Sequence, residues 1–394
     1  MKKKMLFMLI NMNIGGTEKA LLNMINEIPK DKYEVTIFML EEYGGFLNYI
    51  PSNVKVEYFI GYESIKDLLN KPPQLMSYHL LKKGKILKAI CILFLHIITK
   101  LLKDRSIYFR YLLRKYLTLE EEYEIAVAYD GPMDFISYFV LKKIKANKKI
   151  QWIHFDITKI GFNPKFASKV YSKFEKVFVV SNEARNKLID RVPRIKEKTD
   201  IFLNLATPKT IKSQSKKGKG FTDQFDGLRI LTVGRLSGEK GQDLAIHTFK
   251  RLVNDGYKVK WYCIGEGNSR KNYERLIEQF DLKDKFILLG SDPNPYSYIA
   301  QCDIYVQPSR HEGFCITLAE AKCLKKPIVT TNFTGAQEQI KNRENGLIVS
   351  INENEIYNAL VELINNEDLR KRFTENLTSG NFQNNDEIQK FLIV

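Results

Sequence analysis

Short apolar runs of strand length alternate with helical-period segments from one end of this 394-residue chain to the other. That alternation restricts the fold more than any other feature. A strand that must pair in parallel with its successor needs a crossover between them, usually a helix. Strands are expected at 5–11, 34–40, 54–60, 125–129, 149–155, 176–181 and 200–205. A polar stretch rich in Gly, Ser and Lys, 209–227, then breaks the pattern and reads as a linker or flexible connection. A second alternating run follows, with strands expected at 228–233, 258–264, 285–289, 303–307, 327–331 and 347–350. One core rarely serves a chain this long. The expectation is α/β, with two doubly wound Rossmann-like domains at 1–208 and 228–377 and a final segment, 378–394, packing back on the first domain. Open sheets of this kind bind ligands beyond the carboxyl ends of their strands. The cleft between the domains is therefore the expected site.

Five cysteines, Cys91, Cys263, Cys302, Cys315 and Cys323, form no CxxC or Cys/His cluster. Neither a disulfide framework nor a zinc site fits, and a reducing, cytoplasmic setting does. The start carries Lys2, Lys3 and Lys4, but the apolar run 5–10 is too short for a secretion signal and reads as a first strand. No run reaches transmembrane length. The 62 Lys+Arg against 46 Asp+Glu leave a net charge of +16, which favours polyanionic partners: nucleic acid, an anionic membrane or phosphate-bearing substrates.

Chemistry concentrates after three second-half strands. Ser309-Arg310-His311-Glu312-Gly313-Phe314-Cys315-Ile316-Thr317-Leu318-Ala319-Glu320 opens a helix, whose free N–H groups favour phosphate oxygens. Glu312 could meet a sugar hydroxyl, and Glu320 a ribose diol. From the spacing alone, eight residues apart, a loop acid plus a solvated helix acid is the simpler reading. Gly234-Arg235-Leu236-Ser237-Gly238-Glu239-Lys240 brings two cations to a strand end, either for phosphate oxygens or as exposed charges at a turn. Ile264-Gly265-Glu266-Gly267 is a tight turn without dinucleotide spacing. In the first half, His154 ends a strand and Gly15-Gly16 follows another; both could face the cleft or be structural.

Taken in order, these motifs resemble the donor-binding domain of family 4 retaining glycosyltransferases, which have the GT-B fold. The family's Glu-x7-Glu pattern inside "EGF…EA" appears as Glu312 to Ala321, preceded by Val233 to Gly241 and Ile264 to Gly267. Downstream come Pro327 to Glu338 and Asn345 to Val349. The first half resembles the family only at Gly15-Gly16, His154 and Ser181-Asn182-Glu183.

The resemblance implies that Arg235 and Lys240 hold the donor pyrophosphate and that Glu320 takes the ribose. It implies that Glu312 and His154 lie at the donor sugar, with backbone of Phe314, Cys315, Ile316 and Thr317 facing sugar and phosphates. Gly16 would sit beside the phosphates, Gly265 and Glu266 beside the nucleoside, and Asn294 along the base. Two departures stand out. Cys315 occupies a place where the family often has glycine, and Asn204-Leu205-Ala206-Thr207 replaces an "NP…D" stretch.

The implied reaction transfers a hexose or N-acetylhexosamine, most simply from a UDP-sugar, with retention of configuration. The leaving nucleoside diphosphate would help deprotonate the acceptor hydroxyl on the same face. No DxD motif is present, and neither a cofactor nor an essential metal is expected. By analogy the acceptor is a glycan, a lipid-linked sugar or a surface polymer, and the role is polysaccharide or glycoconjugate building at the cytoplasmic face of a membrane. The cationic segment 82–117, with its apolar stretch 86–98, fits a helix on an anionic membrane surface or an insertion packed on the first domain. A nucleotide-sugar epimerase of the same fold is the alternative enzyme, and would carry more acids in the cleft. A sugar-binding paralogue without activity is not favoured, because Arg235, Lys240, Glu312 and Glu320 are all present. Nucleic-acid binding finds no motif beyond the charge itself.

Overall fold

The computed structural model describes residues 2–377 and 384–393. Two parallel sheets account for every expected strand. The first comprises β1 (Lys3–Leu9), β2 (Tyr33–Met39), β3 (Lys55–Tyr58), β4 (Glu122–Ala128), β5 (Lys145–Ile153), β6 (Lys176–Val179) and β7 (Thr199–Ile201), in the order β3-β2-β1-β4-β5-β6-β7. The second comprises β8 (Leu228–Val233), β9 (Val259–Ile264), β10 (Phe286–Gly290), β11 (Ile304–Gln307), β12 (Ile328–Thr331) and β13 (Leu347–Val349), in the order β10-β9-β8-β11-β12-β13. Both orders reverse direction beside their first strand, at β1/β4 and at β8/β11. Those two switch points are where such sheets open a crevice. The strands beside the switch points, β1, β4, β8 and β11, are mostly buried on both faces, as helix-covered parallel sheets require; Met5, Leu6, Phe7 and Met8 of β1 are all 0% exposed.

One hydrophobic cluster is continuous across the two domains, joining Phe7 and Trp152 to Tyr262, Tyr296 and Leu318. The helix Asn384–Leu392 contributes Phe391, whose ring lies 5.8 Å from that of Phe7 and 6.0 Å from that of Trp152. The Leu203 N–H donates to Glu387 Oε2 at 2.9 Å. The helix thus docks on the first domain. Residues 378–383 and 394 of the expected terminal segment lie outside the described residues.

The stretch read as a flexible linker is instead a docked segment. Thr207-Pro208 starts a helix, Pro208–Ser215, with proline in the first turn where its missing N–H costs nothing. Ile211 of that helix is buried. The Phe221 ring lies tilted 4.4 Å from the Tyr262 ring, and Asp223 accepts from Tyr262 Oη at 2.7 Å and Lys260 Nζ at 2.9 Å. Its glycines serve close packing: a Cβ on Gly218 would stand 2.3 Å from Ser297 Oγ, and Gly220 has φ +69° against Gln301. Composition alone does not separate a loop that is polar because it is mobile from one that is polar because it binds a polar surface.

The cationic insertion folds as the helices Pro73–Lys82, Ile86–Leu102 and Ser106–Leu113. It begins earlier than residue 82. The Ile86–Leu102 helix buries Ala89, Ile92 and Leu95 and exposes Leu87 (85%), Ile90 (57%), Phe94 (60%), Ile97 (55%) and Leu101 (76%). It packs on the domain with one face and leaves an apolar ridge on the other. Among the described residues no helix is long and apolar enough to cross a membrane.

Candidate active site

In the carboxy-terminal domain the loops after β8 and β11 are laced together by polar side chains. Lys240 Nζ and Glu312 Oε2 form an ion pair at 2.7 Å. Ser309 Oγ donates to Glu312 Oε1 at 2.7 Å, and Gln307 Nε2 donates to Ser309 Oγ at 2.8 Å. Gln307 Oε1 in turn accepts from Tyr305 Oη at 2.8 Å and Thr317 Oγ1 at 3.2 Å. Burial opposes the Lys240 charge, but the Glu312 carboxylate outweighs it and the amine stays above its ordinary pKa. Arg310, just before Glu312, grips both oxygens of Asp243 at 2.7 and 2.6 Å. The resemblance puts Arg235 and Lys240 in one role, yet they differ. The Arg235 side chain is exposed and has no hydrogen-bond or ion-pair partner among the described residues.

Gly265, just past the end of β9, has φ +150°, and a Cβ there would stand 2.0 Å from Gly234 O. Only glycine lets the two loops meet. Gln242 Nε2 donates to the Arg235 carbonyl at 2.9 Å.

The helix Ile316–Cys323 starts from Cys315, whose φ of 63° is left-handed. That is the physical reason a glycine suits this place, and the thiol here occupies strained backbone. Its Sγ lies 3.4 Å from Thr317 Oγ1, and burial pushes its pKa well up. Gln339 Nε2 donates to the Phe314 carbonyl. One turn on, buried Glu320 accepts from Tyr296 Oη at 2.7 Å. Burial raises its pKa, opposed by the charge of Lys19 and the Tyr296 bond. Lys19 comes from the other domain, its Nζ 5.0 Å from the Tyr296 ring centroid and 5.6 Å from that of Phe46. Gly16, three residues before it, faces the same helix start: a Cβ there would stand 3.5 Å from Ile316 Cγ2.

The amino-terminal domain supplies the opposite wall. His154 is 5% exposed, packed 4.5 Å from the Tyr129 ring, with neither ring nitrogen hydrogen-bonded. Burial pushes its pKa down to about 3, so the imidazole is neutral. Its carbonyl is so close to Gly313 that a Cβ there would stand 1.8 Å away. Glu18, half-buried beside Gly15, has its pKa raised to about 7 by burial and by Asp130, with Arg235 pulling the other way. Asp130 is also raised by burial, against one bond from the Ile10 N–H at 3.2 Å.

The Ser181-Asn182-Glu183 motif proves to be a clasp between domains. Glu338 accepts from the Asn182 N–H at 3.0 Å and the Glu183 N–H at 3.1 Å, filling the start of the helix Asn182–Arg191. Glu183 Oε2 accepts from the Gly335 N–H at 3.2 Å, and Asp156 accepts from Thr334 Oγ1 at 2.8 Å and Lys187 Nζ at 2.7 Å. Burial opposes the Asp156 charge, yet the Lys187 amine and the hydrogen bonds hold its carboxyl below the ordinary range.

Gly16, His154, Arg235, Lys240, Gly265, Glu312, Phe314, Cys315, Ile316 and Thr317 therefore all lie on loops or helix starts at the strand ends that face each other, with Glu320 one turn further along its helix. Two expected residues are otherwise engaged. Glu266 pairs with Arg270, and Asn294 Nδ2 donates to Gln214 O at 3.2 Å, holding the docked segment rather than standing free for a base. Sequence reasoning misses Glu18, Lys19, Asp130 and Tyr296. A strand-end signal exists for Asp130, which follows β4 as His154 follows β5; Lys19 and Tyr296 carry none. Among the described residues no group of His, Cys, Asp or Glu is placed to hold a metal.

Residues 220–379 match the family described as glycosyl transferases group 1. The carboxy-terminal domain thus resembles the group 1 glycosyl transferases. The full chain shares the GT-B fold with the Anabaena protein HepE, solved in complex with UDP and glucose: TM-score 0.71, 17% identity, covering 99% of this chain and 98% of that one. A Campylobacter jejuni protein, named N-acetylgalactosamine-N,N'-diacetylbacillosaminyl-diphospho-undecaprenol 4-alpha-N-acetylgalactosaminyltransferase, is 30% identical over 208 residues, 52% of this chain. The match spans about half of that relative, 55% of its length. A Haemophilus influenzae protein described as an uncharacterized glycosyltransferase is 24% identical over 93% of this chain and 92% of its own. The group 1 match includes the docked segment from residue 220 and contains Arg235, Lys240, Glu312 and Glu320.

Proposed function

We propose that this chain transfers a hexose or N-acetylhexosamine from a nucleotide-sugar, most simply a UDP-sugar, to a sugar hydroxyl with retention of configuration. The carrying observation is the pairing of an unpartnered Arg235 with a pre-set Lys240–Glu312–Ser309 network at the ends of β8 and β11, opposite neutral His154. In this reading Arg235 and Lys240 stabilise charge growing on the departing diphosphate, which is the main task in such a transfer. Their two charges stand in for a metal, and the transfer is taken as metal-independent. Glu312, tied to Lys240 and Ser309, is oriented toward sugar hydroxyls rather than being free to act as a base. Buried Glu320 receives the ribose hydroxyls, with Tyr296 fixing its carboxylate. His154, neutral and with unbonded nitrogens, hydrogen-bonds the donor sugar. The roles given to these residues follow the family 4 pattern.

The C. jejuni relative's name specifies a diphospho-undecaprenol-linked acceptor. That supports a lipid-linked or surface-glycan acceptor here, and the apolar ridge with its flanking cations supports peripheral contact with an anionic membrane at the cytoplasmic face. Thermal stabilisation by UDP, GDP, ADP and CMP, each with and without Mg²⁺, tests the donor reading, because ligands that bind only the folded state raise its apparent stability. A shift with one nucleoside diphosphate, independent of metal, is expected; no shift with any of them would overturn the assignment.

A second reading has one observation in its favour. Glu18 and Asp130 add two carboxyl groups to the wall facing Arg235, and an epimerase acting on the donor alone would use such acids. Incubating donor without acceptor separates the two: a new sugar epimer supports the epimerase, and unchanged donor excludes it.

A further inference from the structure

We propose that the cavity between the helices Glu63–Asn70, Ile86–Leu102 and Ser106–Leu113 binds the phosphate of an anionic phospholipid headgroup. The cavity measures about 460 Å³, and its walls include Leu68, Leu87, Lys88, Tyr111, Arg114 and Lys115. Three of these six are cations, and Lys85 lies within electrostatic reach of Lys88. None of the four has an ion-pair partner among the described residues. Between Asp67 and Glu120 the only acid is Asp104, which pairs with Lys169 at 2.5 Å, while Asp67 pairs with Lys71 at 2.9 Å. The cations crowd one another: the Lys88 pKa is lowered first by burial and then by Lys85, Lys115 and Arg114. An anion in the cavity relieves that repulsion.

Arg114 is held ready for it. Its guanidinium lies 3.7 Å from the Tyr111 ring centroid, and Nη1 donates to the Tyr111 carbonyl at 2.6 Å. A guanidinium fixed in this way loses little freedom on taking a phosphate oxygen.

The ridge decides which phosphate. Leu87 belongs both to the cavity wall and to the exposed row that continues through Ile90, Phe94, Ile97 and Leu101. A phosphodiester seated among Lys88, Arg114 and Lys115 has its acyl chains beside that row. A free phosphate would satisfy the charges and leave the row bare. The inference rests on the membrane contact proposed above and narrows it to one place on the surface.

The test uses the full chain, sedimented with phosphatidylcholine vesicles with or without phosphatidylglycerol. One variant combines Lys88→Gln, Arg114→Gln and Lys115→Gln. A control combines Lys216→Gln, Lys217→Gln and Lys219→Gln, removing equal charge from the segment docked on the other domain. A cation near an anionic surface contributes about fivefold to binding, so loss of three is expected to weaken phosphatidylglycerol-dependent binding by about a hundredfold in the cavity variant. The control is expected to lose less than about threefold. Both should keep the wild-type thermal shift with UDP, which shows the fold is intact. If wild type fails to sediment with phosphatidylglycerol, the membrane reading falls and this inference with it. If wild type sediments and both variants lose binding equally, the contact is diffuse charge and only the cavity is refuted. If glycerol phosphate stabilises wild type but not the cavity variant while vesicle binding is the same in both, the site takes soluble phosphate and the lipid assignment is wrong.

Discussion

The two walls of the cleft are built in opposite ways. On the carboxy-terminal side the polar groups are already matched: Lys240 with Glu312, Glu312 with Ser309, Glu320 with Tyr296. On the amino-terminal side Asp156 and Glu183 are matched in the clasp, but the groups nearer the switch point are not. His154 is buried with both nitrogens unbonded, and Glu18 and Asp130 are acids whose ionisation burial opposes. A wall completed in advance can hold a ligand without rearranging, as charge stabilisation in a transition state requires. A wall with unmatched groups is completed by what binds against it. Arg235, exposed and unpaired, is the exception on the matched side.

The largest expected effect uses that exception. Arg235→Ala and Lys240→Ala should each lower turnover on the order of 10²-fold or more. Only Lys240→Ala should also destabilise the fold, by about 3 kcal/mol, because it strands the Glu312 carboxylate. Urea denaturation compares them, and equal stability of the two variants would sink the distinction between the cations. Next, Glu320→Ala should weaken UDP binding roughly tenfold, as loss of hydrogen bonds to a charged group does. Calorimetric titration reads this, and an unchanged affinity would remove Glu320 from the ribose.

The unmatched wall makes a prediction in pH. Glu18 has a folded pKa of about 7 against 4.5 unfolded, so it destabilises the protein as pH rises through that window. Glu18→Gln should therefore stabilise by about 2–3 kcal/mol near pH ~8 and have no effect near pH ~4. His154 acts at the other end: its pKa of about 3 against 6.5 means stability is lost as pH falls below 6.5. A Glu18→Gln stability profile parallel to wild type at every pH would show that the carboxyl is not strained. The smallest effect is at Cys315. Cys315→Gly trades relief of a left-handed φ for a lost buried side chain and should stay within about 1 kcal/mol of wild type. Cys315→Val should cost more, because a branched Cβ suits that φ least; thermal denaturation giving the reverse order would remove strain as the explanation.

The same contrast governs what is legible in the sequence. The central strands are visible because a parallel strand covered on both faces is a continuous apolar run; β3 and β7, which are short and partly polar, are visible through their place in the alternation. Arg235, Lys240, Glu312 and Glu320 are visible because short motifs carry them at single strand-to-helix crossovers. Lys19 and Tyr296 are not, since they meet only when the helix Gly16–Glu27 of one domain faces the helix Tyr296–Gln301 of the other. Asn182, Glu183 and Glu338 stand out as pattern but carry no meaning until the fold places them against each other. The segment 209–227 misleads because its lysines, serines and glycines have the same composition whether they are solvated or, as Gly218 and Gly220 are, pressed against a neighbour.

That docked segment has a bearing on how the two halves can be exchanged between relatives. Phe221 and Asp223 belong to the carboxy-terminal half by their contacts, although the first strand of that half begins only at Leu228. A chimaera joined at residue 227 would tear Phe221 from Tyr262, whereas one joined at Thr207, ahead of the proline-started helix, would carry the segment with its own host. The helix Asn384–Leu392, lodged against Phe7 and Trp152, must then stay with the recipient. The unit that can be inherited or transplanted intact is thus bounded by two crossings of the chain, and neither coincides with the edge of a sheet.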